Sequence, residues 1–290
     1  MKDLFVAIIT PFDENFHIDY KSLTRLLNHL FNSPITGIVV LGTTGEAPCL
    51  SNTEKLNLVK FIWSYKITNN YRKQIIVGIG GNNTTECIEF GKTIKDYCNY
   101  IMITVPHYNK PSQNGIYEHF KTICNYFENT KFILYNIPSR TGVNMTPKCV
   151  ERCYKDFKNI VSIKESSGSI NQIMDIKSSC NINIFSGDDV SIISTNSLGG
   201  VGLISVIGNL IPNQLSEMIF CEDPEEQLKL FYKMYDLMKI IFIDTNPVPI
   251  KYLLQQLNII DNYNVRLPLV DLDDENKEKL ENCFNSFLKY

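Results

Sequence analysis

The sequence predicts a (β/α)8 TIM barrel carrying a small C-terminal α-helical domain. Three observations predict it. Eight short apolar runs recur up to about residue 206, nearly continuous rather than alternating, as parallel strands covered on both faces require. Segments with helical spacing and capping signals lie between them. After about residue 223 the strand pattern stops and only helical pattern continues. The expected division is a barrel over 1–223 and a helical domain over 224–290. A doubly wound open sheet is the structural alternative. It wants a glycine-rich fingerprint, and Gly78-Ile79-Gly80-Gly81-Asn82-Asn83 ends in Asn, so that stretch reads as a strand end and turn.

In chain order the strands are expected at Leu4–Thr10, Gly37–Leu41, Ile75–Ile79, Tyr100–Val105, Phe132–Tyr135, Ile160–Lys164, Ile182–Ser186 and Gly202–Val206. Ser51-Asn52-Thr53-Glu54 has the form of a capping box, with Leu56, Val59 and Trp63 following at helical spacing. Thr84–Tyr97, Asn114–Phe127 and Thr146–Cys153 read as helices too, the last with Pro147 in its first turn. Beyond 223, Leu230, Met234, Leu237 and Ile241 share one helix face. Asn246-Pro247-Val248-Pro249 breaks that helix, and Ile250–Leu257 and Glu275–Leu288 follow as helices.

Composition excludes several classes. With 28 basic and 31 acidic residues the net charge is -3, so no basic excess points to nucleic acid. The opening MKDLFVAIITPFD has too short an apolar part for a signal peptide, and no apolar run is long enough to cross a bilayer. A soluble, cytoplasmic protein is expected. The nine cysteines are scattered; Cys149 and Cys153 lie four apart, but no second pair completes a zinc site, and reduced packing cysteines are expected. Only His17, His29, His107 and His119 occur, without ligand spacing, so no metal site is expected.

Chemistry in such a barrel sits where the strands end. The sixth run, Ile160-Val161-Ser162-Ile163, leads into Lys164 and then Glu165-Ser166-Ser167-Gly168. A lysine set against an apolar wall loses solvation, so its free amine becomes available to attack a carbonyl. Equally, such a lysine can simply solvate a strand end. The second run leads into Gly42-Thr43-Thr44-Gly45-Glu46, able to bind a carboxylate or to serve as a polar turn. The fourth leads into Pro106-His107-Tyr108-Asn109-Lys110-Pro111, and the fifth into Tyr135-Asn136-Ile137-Pro138-Ser139-Arg140-Thr141-Gly142. The seventh leads into Ser186-Gly187-Asp188-Asp189. One lysine, two tyrosines, a threonine pair and an arginine suit imine chemistry on a 2-oxo acid, with tyrosine moving protons and arginine gripping a carboxylate.

These motifs resemble the dihydrodipicolinate synthases, within the class I aldolase family that includes N-acetylneuraminate lyase. The likeness runs nearly full length through VAIITP, GIVVLGTTGE, PHYNKPSQNG, YNIPSRTG, IKESSG, SGDD, GLISV and NPVPIK. It implies that Lys164 forms the Schiff base with pyruvate and that Tyr135 relays protons at the imine. It implies that Thr43 links the relay, that Thr44 helps hold the pyruvate carboxylate, and that Tyr108 reaches in from a neighbouring subunit. Arg140 would receive the carboxylate of L-aspartate-4-semialdehyde, and the backbone at Gly187 and Ile204 would line the pyruvate pocket. A homotetramer built as a dimer of dimers, working without a cofactor, is implied as well.

Some positions depart from the family pattern. Tyr is expected where His107 stands, at a position that lines the lysine feedback site of regulated members. Ala47, Pro48, Asn52, Lys55, Asn82 and Glu86 match other positions of that site. Histidines are typical where Asn52 and Lys55 stand, and Lys55 would set a like charge beside a bound lysine. Weak or absent lysine inhibition is expected. Ser166 stands where Ala is more usual, with no consequence assigned. Two other readings remain open: another pyruvate-dependent aldolase, such as an N-acetylneuraminate or keto-deoxy-sugar acid lyase, and a non-catalytic 2-oxo-acid-binding protein. Arg140 and PHYNKPSQ argue against the first, and the intact Lys164, Tyr135, Thr43 and Tyr108 against the second.

Overall fold

A computed structural model describes residues 2–289. Eight parallel strands close on themselves in chain order. They are β1 (Asp3–Ala7), β2 (Gly37–Val40), β3 (Gln74–Gly80), β4 (Tyr100–Thr104), β5 (Phe132–Asn136), β6 (Ile160–Glu165), β7 (Asn183–Ser186) and β8 (Gly202–Ser205). Closure is the β1–β8 ladder, Asp3 opposite Gly202 through Val6 opposite Ser205. Asn209 reinforces it, its Nδ2 donating to the Ala7 carbonyl at 2.8 Å and its Oδ1 accepting from the Ile9 N–H at 3.3 Å.

The continuous apolar runs resolve into two cores. Alternate residues Phe5, Ala7, Val39, Ile76, Met102, Ile133, Tyr135, Phe185 and Ile204 fill the barrel interior. Their neighbours Leu4, Val6, Ile38, Val40, Val77, Ile103, Leu134, Ile163 and Leu203 face outward into the core beneath the helices. The strand period is therefore present but hidden, because both faces are buried. Each fully buried Leu, Ile or Val contributes about 1.5–3 kcal/mol relative to exposure.

All eight expected strands form. The first stops short, at Ala7 rather than Thr10. Pro11 has no N–H for a ladder and favours an extended turn before it. Ile8 keeps one bond to β2, its N–H donating to the Val39 carbonyl at 3.1 Å; the chain then leaves the sheet, and the Thr10 hydroxyl donates to the Gly45 carbonyl at 2.7 Å. The Ser51 capping box is present, opening the helix Asn52–Thr68. The third helix is α-helical over Thr84–Ile94 and tightens to a 3₁₀ turn over Lys95–Tyr97. The other two expected helices run Gln113–Tyr126 and Pro147–Asp156, the latter capped by Thr146, whose side chain accepts from the Cys149 N–H. After β8 the helices are Pro212–Phe220, Pro224–Ile240, Val248–Gln256 and Asp274–Phe287. Met234, Leu237 and Ile241 are buried along one face as expected, with Leu230 partly so. Cys149 and Cys153 are buried and free. Among the described residues no helix is long and apolar enough to cross a membrane.

One buried group outside the barrel mouth should make the stability of the fold depend on pH. His119 bonds Thr84 through Nδ1 at 2.9 Å, while its buried Nε2 has no partner. Burial pushes the imidazole down to about 4 from 6.5. The unfolded chain takes up this proton first. The group's contribution is therefore fully present above about pH 6.5 and lost as pH falls through about 4, a change of ~3 kcal/mol. Chemical unfolding followed between those limits should show the decline, and His119→Gln should flatten it.

Candidate active site

Lys164 lies near the C-terminal end of β6, opposite Tyr135 of β5 and Phe185 of β7. Strand alternation turns it into the barrel, where it is 6% exposed. Its Nζ stands 4.4 Å from the centre of the Tyr135 ring. Among the described residues no hydrogen bond or ion pair engages that nitrogen. Gly187 explains how the stem fits. A Cβ built there would stand 2.7 Å from Lys164 Cε and 1.8 Å from Ser166 Oγ. Any side chain at 187 would displace the lysine. The Ser166 hydroxyl, crowded into the same place, is buried without a partner. Ile204 is fully buried on the inner face of β8.

Thr43 and Thr44 occupy a 3₁₀ turn after β2. The turn is framed by two non-glycine residues in left-handed conformation, Leu41 at φ 59° and Glu46 at φ 51°. Such backbone costs of order 1–3 kcal/mol each and persists only where surroundings enforce it. Gly78 of β3 is part of that enforcement: a Cβ there would come within 2.6 Å of the Leu41 carbonyl oxygen. The stretch weighed above as half a nucleotide fingerprint thus has a glycine because the threonine turn leans on it. Thr44 is buried and its Oγ1 accepts from Asn246 Nδ2 at 2.9 Å. Thr43 is half-buried, and no hydrogen bond joins its hydroxyl to the Tyr135 phenol within this chain.

Two expected residues lie outside the barrel mouth proper. Arg140 is exposed on the short helix Pro138–Thr141 after β5. Tyr108 is 85% exposed at φ 65°, its N–H donating to the Thr141 carbonyl at 3.2 Å. It does not turn into this chain's own pocket. Of the positions matched to a feedback site, Asn52, Asn82, Glu86 and His107 are exposed, and Ala47 and Lys55 half-buried. The Lys55 ammonium stands 6.0 Å over the Phe90 ring, and burial lowers its pKa.

The structure adds residues that sequence reasoning passed over. Glu165, the residue after the lysine, is buried facing away from the barrel interior. Its carboxylate accepts from Asn136 Nδ2 at 3.0 Å, Gln172 Nε2 at 2.9 Å and the Ser167 N–H at 2.6 Å. Asp189 ties the β7 turn to the end of β8, accepting from the Ser205 hydroxyl at 2.5 Å and the Val206 N–H at 3.0 Å. Burial raises its carboxyl to about 6 against those donors. Glu46 closes the threonine turn and pairs with Lys251 at 2.5 Å, both side chains almost wholly buried. Lys251 also donates to the Asn264 carbonyl at 2.8 Å. Desolvation pushes its ammonium down to about 8, with Glu46 opposing the shift. The available signal was a charged residue inside an otherwise apolar run, as in IKE and PVPIK.

Among the described residues Lys66, Lys164 and Lys251 are the buried lysines, and the last two differ in kind. Lys251 donates to a carboxylate and a carbonyl. Lys164 makes no such bond, and its nitrogen lies over the Tyr135 ring. A closed parallel barrel with a buried, unpaired lysine at its mouth is the architecture of an imine-forming lyase. A family model described as the dihydrodipicolinate synthetase family matches residues 1–286, and the chain belongs to that family. It is 37% identical over 291 residues to the 4-hydroxy-tetrahydrodipicolinate synthase of Methanococcus aeolicus, covering 99% of both chains. It is similar in structure to the 4-hydroxy-tetrahydrodipicolinate synthase of the thermoacidophilic methanotroph Methylacidiphilum fumariolicum, with TM-score 0.95, 36% identity, and coverage of 100% of this chain and 96% of that one. It also resembles the dihydrodipicolinate synthase of Acinetobacter baumannii complexed with pyruvate, with TM-score 0.93, 34% identity, and coverage of 99% and 98%.

Proposed function

We propose that the chain condenses pyruvate with L-aspartate-4-semialdehyde, the 4-hydroxy-tetrahydrodipicolinate synthase reaction of lysine and diaminopimelate biosynthesis. The observation that carries this is the Lys164 amine, buried, unpaired and against the Tyr135 ring, in a chain of this family. Lys164 Nζ adds to the pyruvate ketone, and loss of water leaves an imine. Tyr135 is placed to move the protons of that step. Thr43 links the relay, Thr44 helps hold the pyruvate carboxylate, and backbone at Gly187 and Ile204 walls the pocket. Removal of a methyl proton gives the enamine, whose carbon attacks the aldehyde. The substrate's own amine then adds to the imine carbon and displaces Lys164, closing the ring. Borohydride with pyruvate should leave a reduced adduct on the peptide holding Lys164; an unmodified peptide would sink the scheme.

Arg140 receives the carboxylate of the aldehyde substrate. Its exposed place on the helix after β5 supports this, because a rim residue can meet the second substrate after pyruvate is bound. Arg140→Ala should reduce kcat/KM for the aldehyde about a hundredfold, the scale of a lost charge-assisted bidentate contact. Borohydride trapping with pyruvate should be unchanged; equal loss of trapping would refute the role.

We further assign Tyr108 to the site of a neighbouring copy, within a homotetramer built from dimers. A large aromatic left exposed, on backbone that disfavours bulky residues, supports a role met only on assembly. Residues 1–223 are taken as the catalytic barrel and 224–290 as the helical domain packed on it. A cytoplasmic location goes with this reading. The feedback region around Ala47, Asn52, Lys55, Asn82, Glu86 and His107 should bind lysine weakly or not at all, because the Lys55 ammonium repels a second one. Initial rates measured against added lysine test this; an inhibition constant in about the low-millimolar range or tighter would overturn it.

A further inference from the structure

We propose that Asn246, in the segment that enters the helix Val248–Gln256, is a positioning residue that sets the direction in which Thr44 offers its proton. The inference rests on the reading of Thr44 as a ligand of the pyruvate carboxylate. A threonine hydroxyl has one proton and two lone pairs. Here Oγ1 is buried and accepts from Asn246 Nδ2 at 2.9 Å, so the bond uses a lone pair and leaves the proton to donate. A carboxylate needs a donor there. Without the amide the hydroxyl can rotate and spend its proton on a neighbouring backbone carbonyl.

Two further observations point the same way. Asn246 Oδ1 is buried without a partner. An orphaned buried acceptor costs about 1–3 kcal/mol in general, a cost tolerated chiefly where geometry serves function. The same segment also grips the turn at its other end. Lys251, one turn into the helix, pairs with Glu46, and the Arg266 N–H donates to the second Glu46 oxygen at 2.9 Å. Residues 202 and 205 positions away in sequence thus hold the first and last parts of one short turn. The NPVPIK motif, which the imine chemistry leaves without a task, supplies both contacts.

The test compares Asn246→Ala, Asn246→Asp and a control, Leu280→Ala, in the full-length enzyme. Leu280 is fully buried on the last helix, so its loss lowers stability without touching the turn. Asn246→Ala should raise KM for pyruvate about tenfold while KM for the aldehyde changes by less than about twofold. Asn246→Asp should raise pyruvate KM further, because a carboxylate accepts the Thr44 proton and repels the substrate's charge. Leu280→Ala should lower the melting temperature and leave pyruvate KM in place. An unchanged pyruvate KM in Asn246→Ala, or a rise matched by Leu280→Ala, overturns the proposal. Borohydride trapping at saturating pyruvate separates the two levels. If the wild type is trapped on Lys164 and the Asn246 variants show no KM shift, only the positioning role fails. If the wild type is not trapped, the underlying reading fails and the proposal with it.

Discussion

Replacing Lys164 with methionine should lower kcat by about a thousandfold or more, the scale on which covalent catalysis disappears with its nucleophile. Methionine keeps an unbranched apolar stem to pack between Tyr135 and Gly187, so the melting temperature should hold within a few degrees. The loss is expected in kcat, because a bound but unattached pyruvate cannot form the enamine. Mass spectrometry after borohydride treatment should find no pyruvate-derived increment. Lys251 is the internal comparison. It is the more deeply buried amine, yet it is held by the Glu46 carboxylate and the Asn264 carbonyl. Residual activity above about a tenth of wild type would transfer the chemistry elsewhere.

The second large effect is on stability. Lys251→Met strands the Glu46 carboxylate in the interior, which should cost about 3–5 kcal/mol. The Arg266 N–H and the nearby Arg266 guanidinium remain beside it but do not replace the lost ion pair. The double variant Glu46→Gln with Lys251→Met should recover most of that loss, since removing both charges removes the desolvation penalty along with the attraction. Denaturant unfolding of the two single variants and the double supplies the cycle. If the double is as unstable as Lys251→Met alone, the pair is not the source of the cost.

The strands were legible because both faces of each are buried, which makes an apolar run too short for a helix and too continuous for an open sheet. The end of β1 was not, since Ile8 and Ile9 are as apolar as the strand and only Pro11 and Thr10 mark the departure. Lys164 and Tyr135 could be proposed from their places at strand ends, and the β5–β6 register sets them side by side. Glu46, Glu165, Lys251 and Asn246 could not. Each is defined by a partner, and the Glu46 and Thr44 partners lie more than two hundred residues downstream. Local pattern reports which positions are buried, but not which buried polar group meets which. Tyr108 shows the converse: its motif is readable, while the task proposed for it requires a second chain.

The stitching of the threonine turn to the last helices bears on how the enzyme is made. On the ribosome, all eight strands emerge before Asn246, Lys251 and Arg266 do. A nascent barrel at that stage holds Glu46 without its counter-ion and Thr44 without its amide. Competence should therefore arrive late in translation, after the scaffold has closed.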